Sequence, residues 1–185
     1  MFEATINGIT LRFETMPSLF SHQKIDAGTR AMLQCAAFTP EDKVLDLGCG
    51  YGPVGIYAAK LIGEQRVTMC DIDPLAVQLS KANAVRNGVP DIRVLQSDGF
   101  CGIGDAGYTL ILSNPPYHTD FSVAKAFIEK GFNRLILGGR MMMVTKRRDW
   151  YRNKMTSIFG GVTVREMDGY FVMTAEKRGK SYAKK

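Results

Sequence analysis

The sequence has no run approaching the ~18 consecutive apolar residues of a membrane span. No basic-then-apolar leader stands before the alternating pattern that begins at Met1-Phe2-Glu3-Ala4-Thr5. These two absences predict a soluble, cytoplasmic protein with no membrane partner. Cysteine is scarce as well: Cys35, Cys49, Cys70 and Cys101 lie far apart with no C-x-x-C pair, which argues against a disulfide framework or a zinc site, and no metal is expected. Acidic residues thin out toward the C-terminus. Residues 1–139 carry twelve basic and fourteen acidic side chains, whereas residues 140–185 carry twelve basic and only four acidic. A net charge of +6 is therefore concentrated in the last quarter. That asymmetry fits a nucleic-acid partner, whose phosphates release counterions when neutralised; the alternative is a solvated surface ending in a disordered tail.

At 185 residues and 45% apolar, the chain is long enough for one well-buried domain and short for two. A single domain over 1–185 is expected, with a hairpin and helix in 1–40, a core in 41–176 and a basic tail in 177–185. Asn7-Gly8, between Ala4-Thr5-Ile6 and Ile9 to Phe13, is a two-residue hairpin signal. Helical spacing runs from Asp26 to Phe38 and stops at Pro40. Strands at 44–47, 66–70, 92–95, 108–112 and 139–145 then alternate with helices at 53–62, 74–87 and 122–135. Asp168-Gly169 joins two last strands, 162–166 and 170–174, as an antiparallel hairpin. The pattern predicts an α/β fold: a Rossmann-like, mostly parallel seven-stranded sheet with helices on both faces, a C-terminal antiparallel hairpin and an extra N-terminal β-hairpin.

Open sheets of this kind bind ligands at the carboxyl ends of their strands, and that is where the unusual residues fall. Asp46-Leu47-Gly48-Cys49-Gly50-Tyr51-Gly52 follows the first strand. Its glycines permit a tight turn, but the spacing is not the G-x-G-x-x-G of dinucleotide enzymes, and Asp46 would repel a pyrophosphate. A cationic or zwitterionic ligand fits better. Asp71 ends the second strand and can accept both hydroxyls of a ribose, while Asp73 before Pro74 reads as a helix N-cap. Asp98 in Ser97-Asp98-Gly99 can accept an adenine amine or bond its own turn. Ser113-Asn114-Pro115-Pro116-Tyr117-His118 follows the buried run Tyr108 to Leu112. It sets an amide, two rigid prolines and an aromatic ring where a flat amino-bearing group could be held.

The ordered set DLGCGYG, DIDP, SDG and SNPPYH resembles the class I S-adenosylmethionine-dependent methyltransferases. Phe20 to Thr29, FSHQKIDAGT, resembles the small-domain methyltransferases that modify the exocyclic N2 of guanine in ribosomal RNA. The likeness runs from about residue 2 to 176. It implies S-adenosylmethionine as cofactor, with Asp46, Gly48 and Gly50 at its methionine part, Asp71 at its ribose, Asp98 and Gly99 at its adenine, and Phe20, Asp26, Gly28 and Thr29 closing over it. It further implies that Asn114, bordering the cofactor, and the Pro115 carbonyl accept hydrogen bonds from the target amine while Tyr117 stacks on its ring.

Acceptors on both amine hydrogens draw the nitrogen toward tetrahedral geometry, so no general base of special pKa is required. The target must be single-stranded or flipped out. Pro116 and His118 adjoin the substrate in this scheme, although a lone turn histidine is commonly just polar, and Lys146-Arg147-Arg148 at a strand end can bind phosphate. Ribosomal RNA is the expected partner, with a homodimer as a second expectation, since the resembling enzymes often carry an additional N-terminal half that engages RNA. A protein glutamine amide and adenine N6 are alternative substrates. A binding factor that keeps the fold without turnover is the alternative from another class.

Overall fold

Strand order is set by which crossovers a right-twisted sheet allows. In the computed structural model, which describes residues 1–17, 24–116 and 121–183, a hairpin of β1 (Phe2–Ile6) and β2 (Ile9–Phe13) precedes α1 (Ala27–Cys35). There follow β3 (Val44–Leu47), α2 (Pro53–Ile62), β4 (Val67–Asp71), α3 (Pro74–Arg86), β5 (Arg93–Gln96), β6 (Tyr108–Ser113), α4 (Ser122–Arg134), β7 (Leu135–Thr145), α5 (Arg148–Phe159), β8 (Thr163–Met167) and β9 (Tyr170–Glu176). The seven-stranded sheet has the order β5-β4-β3-β6-β7-β9-β8. Strands β3 to β7 pair in parallel, and β9 runs antiparallel to both β7 and β8. Order reverses between β3 and β6, so a crevice opens at their carboxyl ends. Among the described residues no helix is long and apolar enough to cross a membrane.

Period-two alternation splits the sheet's side chains between two cores. Val44, Met69, Leu110, Leu112, Met142 and Val172 meet α1, α2, α3 and the hairpin. Leu45, Leu47, Ile111, Met141, Met143 and Met173 meet α4 and α5 on the other face. The Met-rich strand is thus buried from both sides, as parallel strands under two helical layers must be.

Both hairpins form where the turn dipeptides predict. Asn7 and Asp168 take φ of 46° and 51°, each followed by a glycine with positive φ, the pair of left-handed residues that matches strand twist. The outer edge of β2 is covered by α3. Asn83 and Asn87, one turn apart, exchange hydrogen bonds with the backbone of Glu14 and Arg12, respectively, so the edge has partners.

Three expectations need correction. Helix α5 is absent from the sequence reading, although Tyr151, Met155, Ile158 and Phe159 are its buried stripe and Gly160, at φ 84°, closes it in the left-handed conformation. Helix α1 stops at Cys35 rather than Phe38, because Ala36 turns extended and Phe38 packs edge-on against Tyr57. Strand β7 starts at Leu135, not Gly139: α4 passes straight into it, and the pairing with β6 shifts between Tyr108 and Leu110, the kink of a β-bulge. The tail is also more than a solvated run. Lys177 and Gly138 bond backbone to backbone, the Tyr182 hydroxyl donates to the Glu129 carbonyl, and the Ala183 N–H reaches Ile158. Lys184 and Lys185 lie outside the described residues.

Candidate functional site

The crevice at the switch point is a cavity of about 370 Å³. Turns after β3, β4, β5 and β6 build most of its wall; Asp26 and Thr29 from the start of α1 close one side, and Val123 and Phe127 of α4 another. Of the residues singled out from sequence, it gathers Asp26, Thr29, Asp46, Gly48, Gly50, Asp71, Asp98, Gly99, Asn114, Pro115 and Pro116. Phe20, Tyr117 and His118 fall outside the described residues.

The glycine turn is held before any ligand arrives. Gly48 and Cys49 both donate their N–H to the Cys70 carbonyl. Gly50 donates to Asp71 Oδ2 at 2.8 Å and receives the Ser80 hydroxyl on its own carbonyl at 2.7 Å. Gly48 and Gly50 take φ of 77° and 56°, a conformation that side-chain-bearing residues rarely adopt.

Asp46 lies beneath this turn, 2% exposed, with Oδ2 accepting the Gly55 N–H at 2.8 Å. Burial pushes its carboxyl up to about 7; the Gly55 N–H opposes the rise and the nearby Asp71 charge adds to it. A buried carboxylate with an acidic neighbour favours a positively charged group in the space it faces. Asp71 Oδ1 accepts the Asp73 N–H at 3.0 Å, and Asp73, which also lines the cavity, caps α3 through Leu75. Each Asp71 oxygen accepts one backbone N–H group and can accept a further donor, and the residue lines the cavity. Asp98 is exposed at the rim, and its own carbonyl closes the turn to Cys101.

Ile72, Val123 and Phe127 are among the apolar side chains, unassigned from the sequence, that complete the walls. Ile72 is 62% exposed between two acids, and an apolar residue left open at a strand end inside a cavity is a usable signal. Phe127 lies so near Gly99 that a Cβ there would sit 3.2 Å from its ring. Val123 and Phe127 are one helical turn apart, which is the only sequence hint of that wall.

Asn114 is held by two hydrogen bonds from its amide nitrogen. Its Nδ2 donates to Asp26 Oδ2 at 2.9 Å and to Thr29 Oγ1 at 3.0 Å. A carboxylate can only accept, so the amide nitrogen must face Asp26 and the carbonyl oxygen is directed the other way. Asp26 Oδ2 also caps α1 by accepting the Thr29 N–H, and Asp26 Oδ1 accepts the Tyr170 hydroxyl at 3.2 Å. Tyr170 had no signal in the sequence, being 144 residues from Asp26. Gly28 does not reach the cavity wall: a Cβ on it would stand 2.7 Å from the Tyr170 ring. It admits that ring rather than a ligand.

Lys146, Arg147 and Arg148 are exposed and do not line the cavity. They run from the carboxyl end of β7 into α5, the same end of the sheet as the crevice. Each sits over an aromatic ring, those of Tyr170, Phe121 and Phe171, and Phe121 stacks on Trp150 with centroids 4.2 Å apart. The tail, by contrast, docks at the far ends of α4 and α5.

Comparison with known proteins bears on the sequence and the fold. The chain is 32% identical to the ribosomal RNA small subunit methyltransferase C of Pseudomonas putida (strain GB-1), over 94% of this chain and 53% of that protein. It is 30% identical to the uncharacterized protein YbxB of Bacillus subtilis (strain 168), over 89% of this chain and 85% of that one. Among solved structures, the T. thermophilus 16S rRNA N2 G1207 methyltransferase (RsmC) in complex with AdoMet and guanosine superposes with a TM-score of 0.82. Its identity is 27%, and the match covers 96% of this chain and 50% of that one. The chain thus spans about half the length of the ribosomal RNA methyltransferases it matches. The profile of the methyltransferase small domain matches residues 10–175, and the chain belongs to that family.

Proposed function

We propose that the protein transfers the methyl group of S-adenosylmethionine to the exocyclic N2 of a guanine in ribosomal RNA, in the cytoplasm. The observation that carries the reading is the Asn114 amide, with its nitrogen held by Asp26 and Thr29 and its oxygen left as the acceptor for an amino group.

The cavity suits the donor on its own chemistry. Asp46, buried beneath the glycine turn with its carboxyl pushed up to about 7, complements the positive charge of the methionine part, with Gly48 and Gly50 allowing close approach. Asp71 offers lone pairs to ribose hydroxyls, and Ile72 and Phe127 with Gly99 and Asp98 offer apolar faces and an acceptor for adenine. When bound, the donor supplies a methyl group on a positively charged sulfur.

What the chain does is hold the other reactant. Asn114 Oδ1 and the Pro115 carbonyl accept the two amine hydrogens, which draws the nitrogen lone pair out of conjugation with the ring and aims it at the methyl carbon. The proton that the amine sheds on taking up the methyl group would pass along one of those hydrogen bonds to solvent, since amide oxygens are too weakly basic to keep it. Positioning of this kind is worth up to ~7–11 kcal/mol. Tyr117 stacks on the base and contributes ~1–3 kcal/mol; Pro116 and His118 adjoin it, and Lys146, Arg147 and Arg148 take phosphates of the flanking strand.

The test is methyl transfer from radiolabelled S-adenosylmethionine to total RNA and total protein from a strain lacking this gene, followed by nucleoside digestion of the RNA and amino-acid analysis of the protein. Label in N2-methylguanosine is expected. Label in a protein glutamine, or in N6-methyladenosine alone, would sink the guanine assignment.

A further inference from the structure

We propose that Tyr170, the first residue of β9, is a positioning residue for methyl transfer that acts through Asp26 on the Asn114 amide. This rests on the reading of Asn114 as the acceptor for the target amine.

A carboxylate turns easily about its last torsion, which is broad and two-fold. The one at Asp26 is tied at both oxygens. Oδ2 takes the N–H of Thr29 at 3.1 Å and the amide of Asn114 at 2.9 Å, and Oδ1 takes the hydroxyl of Tyr170 at 3.2 Å. Thr29 alone would fix one oxygen and leave the plane free to swing around it. The Tyr170 hydroxyl, on the opposite oxygen, sets that plane, and with it the direction from which the Asn114 amide is pulled.

The ring that carries this hydroxyl is itself immobilised. Tyr170 is 7% exposed, and Gly28 is shaped to it, since a Cβ there would overlap the ring edge. The Lys146 ammonium stands 4.7 Å from the ring centroid. Segments far apart in sequence, the start of α1, the end of β6 and the start of β9, are thereby locked around one amide.

Packing and hydrogen bonding separate cleanly at this residue, because phenylalanine would fill the same space against Gly28. A tyrosine kept only for its bulk would lose nothing on such a change. One kept to aim Asn114 would lose alignment while cofactor affinity and fold survive.

The experiment compares Tyr170→Phe and Gly28→Ala with the wild type, using Asn114→Ala as reference. For Tyr170→Phe, kcat should fall about 10- to 100-fold, with KM for RNA and Kd for S-adenosylmethionine within about twofold, the pattern of an interaction realised in the transition state. Gly28→Ala keeps the hydroxyl, but its Cβ would crowd both the Tyr170 ring and Asp26 Oδ2, and it should lower kcat as well. A second readout needs no turnover: the side-chain amide protons of Asn114, identified by their loss in Asn114→Ala, should exchange with water faster in Tyr170→Phe. Unchanged kcat with unchanged amide signals overturns the proposal. So does a loss of cofactor affinity in step with melting temperature, which marks a merely structural tyrosine. If Asn114→Ala itself leaves kcat intact, the acceptor role fails instead, and the amide exchange still decides whether Tyr170 holds that side chain.

Discussion

Asp46 shows what a binding site costs the chain that carries it. With a folded-state carboxyl pushed up to about 7 against an ordinary carboxylate value near 4, the folded protein keeps a proton that the unfolded chain has already lost between those two pH values. Stability therefore falls as pH rises from about 4 to about 7 and is flat above, the reverse of a salt-bridged carboxylate. Asp46→Asn should abolish this slope. It should stabilise the ligand-free protein above pH 7 by at most about 4 kcal/mol, the full shift converted at about 1.4 kcal/mol per unit, as read from urea denaturation across pH. The same substitution should weaken S-adenosylmethionine binding at least tenfold. In the wild type, affinity for the cationic donor should drop as pH falls below about 7, when Asp46 takes up its proton; a flat binding profile between pH 6 and 8 would count against a charged Asp46 facing the donor. At Asn114 the expectation is different. Asn114→Ala should leave donor affinity within about threefold while kcat drops by roughly 100- to 1,000-fold, the scale of losing one preorganised group that acts in the transition state.

At the scale of elements, the N-terminal hairpin bonds to α3 through Asn83 and Asn87, and to α1 and α2 through Asn7 and Thr5. Asn83 is fully buried, donates to the carbonyls of Glu14 and Tyr51, and accepts from the Glu14 N–H. Asn83→Ala strands those groups, so a loss of about 2–4 kcal/mol is expected, together with faster amide exchange across β1 and β2 than across β3 and β6. Equal exchange in both regions would mean the hairpin is held chiefly by Ile6, Leu11 and Phe13. Elements also differ in how far a sequence discloses them. Short-range chemistry was legible: Asn7-Gly8, Asp168-Gly169, and Pro53 and Pro74 at helix starts each act within a few residues, and the strand-end acids stand out by position although Asp46 and Asp71 bond to Gly55 and Gly50 across the turn. Helix α5 was legible too, in the spacing of Tyr151, Met155, Ile158 and Phe159 and in Gly160 after them. The end of α1 and the start of β7 were not legible, since Phe38 answers to Tyr57 and the bulge to β6. Nor was Tyr170, whose meaning depends on a carboxylate from the other end of the chain.

Charge belongs to the whole molecule. The sequence concentrates it in residues 140–185, but folding divides that segment between two ends of the sheet: Lys146, Arg147 and Arg148 beside the crevice, and the tail against the far ends of α4 and α5. Replacing the three rim residues with alanine should reduce the salt slope of single-stranded RNA binding by about 2, at about 0.7 for each phosphate no longer neutralised. Deleting residues 178–185 should change that slope less and cost about 1–3 kcal/mol of stability through the removal of Tyr182 from the Phe132 ring. If the deletion has the larger effect on the slope, RNA runs along the far ends of the helices instead.

The cavity draws Val54 and Ala76 from the layer of α2 and α3, and Val123 and Phe127 from the layer of α4. A ligand seated there touches both cores, which the sheet otherwise keeps apart. It acts as a rivet between two laminae, so its binding energy is shared by the entire fold. Saturating donor should then add about 2.7 kcal/mol of stability at a hundred times its Kd, raising the midpoint of one cooperative unfolding transition and protecting β5 and β8 alike at opposite edges of the sheet.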